Sequence, residues 1–474
     1  MRVEIENYVR SLDLDAYVVG GAVRDELLGL GSKDADFLVL GVDTEELRAA
    51  LTPHGRVEDL VVADRLVGVR LHPHDRAIRK LTPAGIEFAP PRKEVSTGPG
   101  RHDFEIVADP TLSLAQDMER RDFTINAMAR RLDTGEVLDP LGRGRADLDA
   151  GRLSTVSPQS FREDPLRLVR ALRFVSQLGF TPDPELLDQM REEAAAVRLV
   201  SGERIGGGLS ADGMGELSKL LLGAEPARAL RYARDTGVLV ELLPEFGPAI
   251  GFDQESRYHD LTVDEHTFAV VQATADQGFS LPVRLAALFH DLGKPIVGWR
   301  GHDGRLHYYA KPGFAAHGHD QVGADLASGA LLRLRYPTAL RKRVVRIVRR
   351  HMFQPGKGDA QRARRFLRRN GDELAFDLLD HKLADLLGKR GTDGEPPPFE
   401  EIERLARFRE VVEQERSSPH RLGDLAIDGN DLIDLGFRPG PQLGHILHDL
   451  LDAVVDEPAL NTRDQLLARA EKRL

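Results

Sequence analysis

Two aspartates separated by one residue, Asp34 and Asp36 in SKDADF, have the type and spacing to hold a hard cation. In a strand, residues i and i+2 point to the same face, so the pair would present two carboxylates side by side. That donor set suits Mg²⁺, which takes one or two carboxylates and completes its shell with water and phosphate oxygens. Upstream, Gly20 and Gly21 end the apolar run 17–19 and open a helical pattern that contains Arg24, Asp25, Leu27 and Leu28. Glycines there let the backbone approach a ligand closely, and a helix starting there aims free N–H groups at phosphate. The order predicted is strand, glycine turn, helix, turn and carboxylate pair, and together the parts describe a nucleoside-triphosphate site. A lone DxD or Gly-Gly is common by chance; the combination at this spacing carries the signal.

The elements that must position this site follow in order. Residues 38–90 alternate short apolar runs (57–62, 66–71, 86–89) with polar turns, which predicts the rest of a small mixed sheet. Glu87 sits on the last run and is a candidate third carboxylate for the metal; the alternative is an exposed glutamate alternating with Ile86 and Phe88. Residues 90–110 are rich in Pro, Gly and charge with little periodicity, and predict a long mobile loop. Residues 114–129 read as a helix with a dense polar cluster, in which Arg120 and Arg121 could make forked contacts to phosphate or ribose oxygens. Asp122 and Asn126 complete that cluster. The segment 138–148, LDPLGRGRADL, gives a Pro/Gly turn followed by Asp147.

In 161–174, FREDPLRLVRALRF, Pro165 is tolerable near a helix start, which places Asp164 at the cap or first turn, three residues from Arg167. An aspartate oxygen can accept from the exocyclic amine of cytosine or adenine, and an arginine can donate to the adjacent ring nitrogen. A protein pair could thus select C and A. The alternative is an intrahelical Asp–Arg pair that stabilises its own helix by a few tenths of a kcal/mol. Arg170 and Arg173 follow on the same segment as further nucleotide-binding candidates. Beyond Thr181 the pattern is helical, interrupted at 206–215 by a glycine-rich insertion that predicts a surface loop.

At 474 residues the chain has room for roughly three domains. A hydrophobic fraction of 41% and a charged fraction of 30% fit an ordinary soluble protein. No apolar run approaches a membrane span, the first residues lack the pattern of a signal peptide, and the cytoplasm is the expected location. With no cysteine, any metal must be held by His and carboxylate. The net charge of −11 argues against a uniformly basic nucleic-acid binder, yet 341–369 carries twelve Lys/Arg against one acid, Asp359. Such a stretch could track a phosphate backbone or be the solvated face of a helix. Histidines gather from about residue 260: His266, His290 beside Asp291, His317, His319 and His351. Neutral imidazoles with carboxylates are ligands for Mn, Fe, Ni, Co or Zn.

The stretch 17–37, the string RRDFTINA and the ED–R spacing of Glu163, Asp164 and Arg167 resemble, in that order, the motifs of the polymerase-β nucleotidyltransferases, in the version found in bacterial tRNA nucleotidyltransferases and poly(A) polymerases. LDPLGRGRADL resembles a third motif, although Arg143 separates two glycines that are usually adjacent. The resemblance implies an α+β fold: a nucleotidyltransferase head with a small mixed sheet (1–155), a helical neck and body (156–250), an HD domain (251–395) and a helical tail (396–474). It implies template-independent addition of CCA to tRNA from CTP and ATP, with Mg²⁺ on Asp34 and Asp36 and with the loop near 90–110 helping the change from C to A. The histidines are similar to the HD metal-dependent phosphohydrolases. By position, His266, His290, Asp291, His319 and His351 fill the first five places and Asp385 the last, with His317 competing with His319; a transition-metal divalent ion is implied. Residues 391–398 read as a linker and the tail as a module that holds the tRNA elbow or completes the body. Expected partners are the tRNA 3′ end and acceptor or elbow region and nucleoside triphosphates, with no membrane, in a monomer or homodimer. Competing readings are a poly(A) polymerase, a CC-only or A-only enzyme, an HD phosphohydrolase whose head only binds RNA, and an RNA-binding or chaperone protein. The basic-aromatic string associated with poly(A) polymerases is absent after the DxD strand, which favours CCA addition.

Overall fold

A computed structural model of the chain describes residues 3–31, 36–62, 65–96, 104–207, 214–255, 261–302, 304–311, 313, 316–356, 358–389 and 398–473. The residues pack into two units, 1–244 and 245–474.

In the first unit α1 (Val3–Arg10) leads to β1 (Ala16–Val19) and α2 (Gly21–Leu27). Gly20 makes the turn between them at φ 69°, a region that favours glycine, and a Cβ there would lie 2.6 Å from Nη1 of Arg121. Then follow β2 (Asp36–Val39), α3 (Thr44–Leu51), β3 (Gly55–Val62), β4 (Arg65–Pro73), α4 (Arg76–Leu81), β5 (Ile86–Ala89), β6 (Arg92–Ser96), β7 (Phe104–Ala108), α5 (Leu114–Glu119), β8 (Ala129–Arg131), β9 (Val137–Leu138) and α6 (Gly144–Asp149). Seven strands form one sheet in the order β3-β4-β5-β2-β1-β8-β9, with β2 and β5 parallel and the other neighbours antiparallel. Alternation along β2 and β5 buries Phe37 and Phe88, whose rings stack 5.5 Å apart, and turns Asp36 and Glu87 to the opposite face.

Two expectations are corrected here. Instead of one long mobile loop over 90–110, β6 and β7 pair antiparallel from Arg92 opposite Ala108 to Ser96 opposite Phe104. Val95, Phe104 and Ile106 alternate with polar residues, a period-two signal masked by the surrounding Pro, Gly and charge. The expected helix over 114–129 ends at Glu119. RRDFTINA instead makes a turn in which Phe123 N and Asn126 Nδ2 both donate to Asp122 Oδ1 at 2.9 Å, and Phe123 bridges to Thr155. Short Asp and Asn side chains draw nearby donors into such turns at the expense of the helix.

The rest of the unit comprises β10 (Arg152–Leu153), α7 (Ser160–Glu163), α8 (Leu166–Leu178), β11 (Thr181–Pro182), α9 (Pro184–Glu193), α10 (Glu216–Leu221), α11 (Pro226–Asp235) and α12 (Val238–Leu242). Leu168, Val169, Leu172 and Val175 recur at helical spacing and are fully buried, and α8 packs on α10 and α11. Gly179 ends α8 in the left-handed conformation. Residues 208–213 of the glycine-rich insertion lie outside the description; its ends meet where Gly215 N donates to Gly206 O at 3.1 Å.

The second unit is helical apart from one short hairpin among the described residues. Its elements are α13 (Val263–Asp276), α14 (Leu281–Phe289), α15 (Lys294–Val297), β12 (Trp299–Arg300), β13 (Leu306–His307), α16 (His319–Arg333), α17 (Thr338–Arg350), α18 (Ala360–Asn370), α19 (Asp372–Leu387), α20 (Phe399–Gln414), α21 (Gly429–Asp434), α22 (Pro441–Asp456) and α23 (Arg463–Glu471). Helices α13, α14 and α19 pack on one another, α17 packs on α14 and α19, and α16 packs on α17. Leu379, Leu405, Phe408 and Val412 form a core between α19 and α20; Leu432, Ile446, Leu450 and Leu466 form another under α22. Residues 391–397 of the expected linker lie outside the described residues.

Candidate active site and metal centre

In the head, strand register lines up the candidate carboxylates. Asp36 lies opposite Glu87 across β2 and β5, and Glu87 lies opposite Arg70 across β5 and β4. Arg70 Nε donates to Glu87 Oε1 at 3.2 Å. A cavity of about 470 Å³ is lined by Gly20, Gly21, Asp36, Glu87, Arg120 and Arg121, together with Arg70 and Arg92. Its size is that of an ordinary small-molecule site. Asp34 lies outside the described residues.

The RRDFTINA turn supplies the cationic wall. Buried Asp117 holds both arginines, Arg120 Nη2 at 2.7 Å and Arg121 Nη2 at 3.4 Å. Asp122 and Asn126 do not line the cavity; they brace it. Burial would raise the Asp122 carboxyl, but the Arg170 guanidinium, with Nη2 at 2.6 Å, and the Asn126 amide hold it well below the usual carboxylate range. Arg24 donates to Asn126 Oδ1 at 2.7 Å, which ties the glycine turn to the same network. The guanidinium carbons of Arg24 and Arg173 stack on the Phe174 ring at 5.0 and 4.4 Å. Burial and the neighbouring Arg170 draw Arg173 down to about 10.

The side chains of the expected Asp164–Arg167 pair do not meet, although Arg167 N donates to Asp164 O at 3.0 Å. Asp164 lies in the break between α7 and α8, in extended backbone, and its carboxylate is held by Arg204 at 2.6 and 3.1 Å. Arg167 is buried and donates to Arg120 O (2.6 Å), Ser160 Oγ (2.9 Å) and Glu163 Oε2 (2.9 Å). Pro165 separates the two helices, so Asp164 is not on the α8 face that carries Arg167. Sequence reasoning missed Arg204, which lies forty residues from its partner.

In the second unit six of the histidine-set residues come together. His266 stands on α13, His290 and Asp291 at the end of α14, His319 at the start of α16, His351 at the end of α17 and Asp385 on α19. They form two groups, His266–His290–Asp385 and Asp291–His319–His351, each with its donor atoms within 4.8 Å of one another and all buried. Asp291 links them, with Oδ2 3.2 Å from His290 Nε2 and Oδ1 3.6 Å from His319 Nε2. His317, the competitor of His319, is exposed and outside both groups.

Main-chain carbonyls fix the rings. Nδ1 of His290 lies 2.8 Å from Ala287 O, Nδ1 of His351 2.6 Å from Val348 O, and Nδ1 of His319 3.1 Å from Tyr308 O. Each such bond directs an Nε2 lone pair inward. Facing Nε2 atoms then approach to 3.4 Å (His266–His290) and 3.3 Å (His319–His351), an arrangement that needs a cation or proton between them. Burial pushes His351 and His319 below their ordinary value. Burial would also lower His290, yet Asp291 raises it. Asp291 and Asp385 are both held well below the carboxylate range against burial, the first by His290 and Lys294, the second by Lys389 and Lys382. The donor set fits a divalent transition metal.

Sequence reasoning also missed His381. It lies one helical turn before Asp385, fully buried, its ring 5.2 Å from that of His290 and 5.8 Å from that of His351, and neither ring nitrogen has a hydrogen-bond partner. Burial drives it down to about 3, so it is a neutral imidazole.

Family models match along the chain: the poly A polymerase head domain over 16–154, the probable RNA and SrmB-binding site of polymerase A over 179–250, the HD domain over 263–388 and tRNA nucleotidyltransferase domain 2 over 407–470. Head and histidine centre therefore define a nucleotidyltransferase-type head followed by an HD domain. A multifunctional CCA protein of Methylococcus capsulatus is 32% identical over 460 residues, 93% of this chain and 94% of its own. The chain belongs to the multifunctional CCA protein family. A Neisseria gonorrhoeae member is 41% identical over 286 residues, 59% of this chain and 62% of that protein. Among solved structures, the fold matches the Bacillus stearothermophilus CCA-adding enzyme in complex with CTP (TM-score 0.66, 24% identity, covering 99% of this chain and 96% of that one). It also matches the Thermotoga maritima CCA-adding enzyme complexed with tRNA (TM-score 0.57, 19% identity, 100% and 96%). Among the described residues no helix is long and apolar enough to cross a membrane.

Proposed function

We propose that the chain adds CCA to the 3′ end of tRNA in the cytoplasm, using CTP and ATP and releasing pyrophosphate, and that its HD centre hydrolyses phosphoesters. The observation that carries the first activity is the row Asp36–Glu87 facing Gly20, Gly21, Arg120 and Arg121 across one cavity. An exposed Asp36 and a half-buried Glu87 beside a cationic wall suit a magnesium triphosphate, and Asp36 with Glu87, joined by Asp34, would hold Mg²⁺. When bound, Mg²⁺ neutralises charge on the triphosphate and makes the RNA 3′-hydroxyl a better nucleophile. Arg120 and Arg121 pair with phosphate oxygens, and the Gly20 turn admits the triphosphate close to the backbone. The 3′-oxygen bonds to the α-phosphorus as the bond to pyrophosphate breaks, so the chain's task is positioning and charge stabilisation. Asp164 would read the base amine and Arg204 would hold it ready, while Arg167 fixes the wall at Arg120. Asp36→Ala should abolish nucleotide addition while tRNA binding by gel shift persists; retained turnover would remove Asp36 from the site.

The HD reading rests on the two linked ligand groups around Asp291. A divalent transition metal there supplies an activated water at neutral pH. His290, His319 and His351, fixed through Nδ1, offer their Nε2 atoms, and Lys294, 2.6 Å from Asp291 Oδ2, orients that carboxylate. Absence of phosphomonoester and phosphodiester hydrolysis with every divalent metal tried would end this reading.

A further inference from the structure

Part of the basic stretch 341–369 is neutralised within its own unit. Arg343 meets Asp377 at 2.6 Å, Arg364 meets Glu415 at 3.0 Å, Arg365 meets Asp456 at 2.7 Å and Arg368 meets Asp452 at 3.3 Å. One part differs. Between the start of α16, the end of α17 and helices α18 and α19 lies a cavity of about 220 Å³, lined by Asp320, Arg349, Arg350, Phe353, Phe366 and Arg369. Asp320 follows His319 and Arg350 precedes His351 in the chain, so the cavity and the histidine centre share two helix ends.

Three guanidinium groups meet one carboxylate in that lining. Arg349 spends its charge on Asp325, 2.8 Å away, at the exposed edge. Arg350 donates to Arg369 O at 3.0 Å and to Asn370 Oδ1 at 2.6 Å, both neutral acceptors. Clustered cations facing neutral acceptors favour an anion, and a guanidinium fork fits phosphate. Beside them Phe353 and Phe366, half buried, have ring centroids 5.0 Å apart. Aromatic faces of this kind stack bases of any sequence.

The geometry points to a nucleotide subsite of the HD centre: Phe353 and Phe366 take the base, and Arg350 and Arg369 take a phosphate other than the one that reacts. The substrate class is then a nucleotide with phosphates on both sides of its sugar, free or at an RNA end. This rests on the phosphohydrolase reading of the centre. In the reaction, a water oxygen bonds to the phosphorus at the metal centre, one P–O ester bond breaks and the departing sugar oxygen takes a proton.

Binding tests the subsite without turnover. Full-length metal-loaded protein is titrated with adenosine 3′-monophosphate and adenosine 3′,5′-bisphosphate, before and after Arg369→Glu and Phe353→Leu. The bisphosphate should bind about tenfold more tightly than the monophosphate, one charge-assisted contact being worth that much. Arg369→Glu should erase this ratio, whereas Phe353→Leu should weaken both ligands and leave it intact. Equal affinities in the unaltered protein, or a ratio that survives Arg369→Glu, would overturn the subsite. A ratio also cancels any general loss of folded protein. Phosphate release from the same ligands is read separately: binding as expected without release leaves the subsite standing and removes the hydrolytic reading. A dinucleotide ending in a 3′-phosphate separates the sources, binding at least as well as the bisphosphate if the ligand is an RNA end and more weakly if it is a free nucleotide.

Discussion

The two centres of this chain are built in opposite ways. In the head, Asp36 is exposed at the start of a strand and lines a cavity several hundred Å³ in volume that is open to a ligand. In the second unit, the six candidate ligand residues, from five helical segments, are buried and already gathered. An open carboxylate site suits a loosely held Mg²⁺ that arrives with its nucleotide. A closed imidazole–carboxylate site suits a resident transition metal. The contrast predicts that the centres are separable by mutation and by metal.

The largest effect expected is at Asp291, which links both ligand groups. Asp291→Asn should lower phosphoester hydrolysis by roughly a thousandfold, the scale of several kcal/mol of transition-state stabilisation, and leave CCA addition near its original rate. Steady-state assays of both activities, with metal content by elemental analysis, check this; a parallel fall in nucleotide addition would break the separation.

Metal removal sharpens the same contrast. Brief exposure to EDTA and gel filtration should abolish nucleotide addition until Mg²⁺ is returned, while the buried centre retains metal and hydrolysis. Simultaneous loss of both, both restored by Mg²⁺ alone, would contradict the resident-metal reading.

A smaller effect concerns base selection. Arg204→Ala removes the partner of a partly buried carboxylate, an interaction of up to about 1 kcal/mol, so KM for CTP and ATP should change about fivefold with little change in kcat. An unchanged KM would detach Arg204 from Asp164's role.

The smallest is a pH dependence. Asp122 is held well below its unfolded value of about 3.9, so its contribution to stability is fully present above that pH, declines below it and is lost only as pH falls through the lower folded value. Thermal melts of the unaltered protein and Asp122→Asn should therefore differ most near neutrality, with the gap narrowing progressively as pH falls below about 4. A gap that stays constant across that range would show that the Asp122 charge is not what braces the turn.

What could be read from the sequence follows the same division. The head motifs are local strings, so Gly20, Gly21, Asp36, Arg120 and Arg121 could be named from spacing, and strand alternation pointed to Glu87. The histidine set is scattered over some 120 residues, from His266 to Asp385, and only its order along the chain exposed it. Exposure decides between His317 and His319, and no local pattern encodes that. Arg204 and His381 were missed because their roles depend on a partner brought near by folding. The turn at RRDFTINA was mistaken for helix because its apolar spacing imitates one, while the hydrogen bonds of Asp122 and Asn126 favour the turn. The β6–β7 hairpin was hidden by the Pro- and Gly-rich residues around its alternating strands.

The most direct measurement uses end-labelled tRNA lacking its 3′ CCA, incubated with Mg²⁺ and CTP alone, ATP alone or both, and resolved on a sequencing gel. The account predicts a stop three nucleotides beyond the start only when both are present. A stop at two with both nucleotides, or a long ladder with ATP alone, would contradict it and make the head that of a CC-adding enzyme or a poly(A) polymerase.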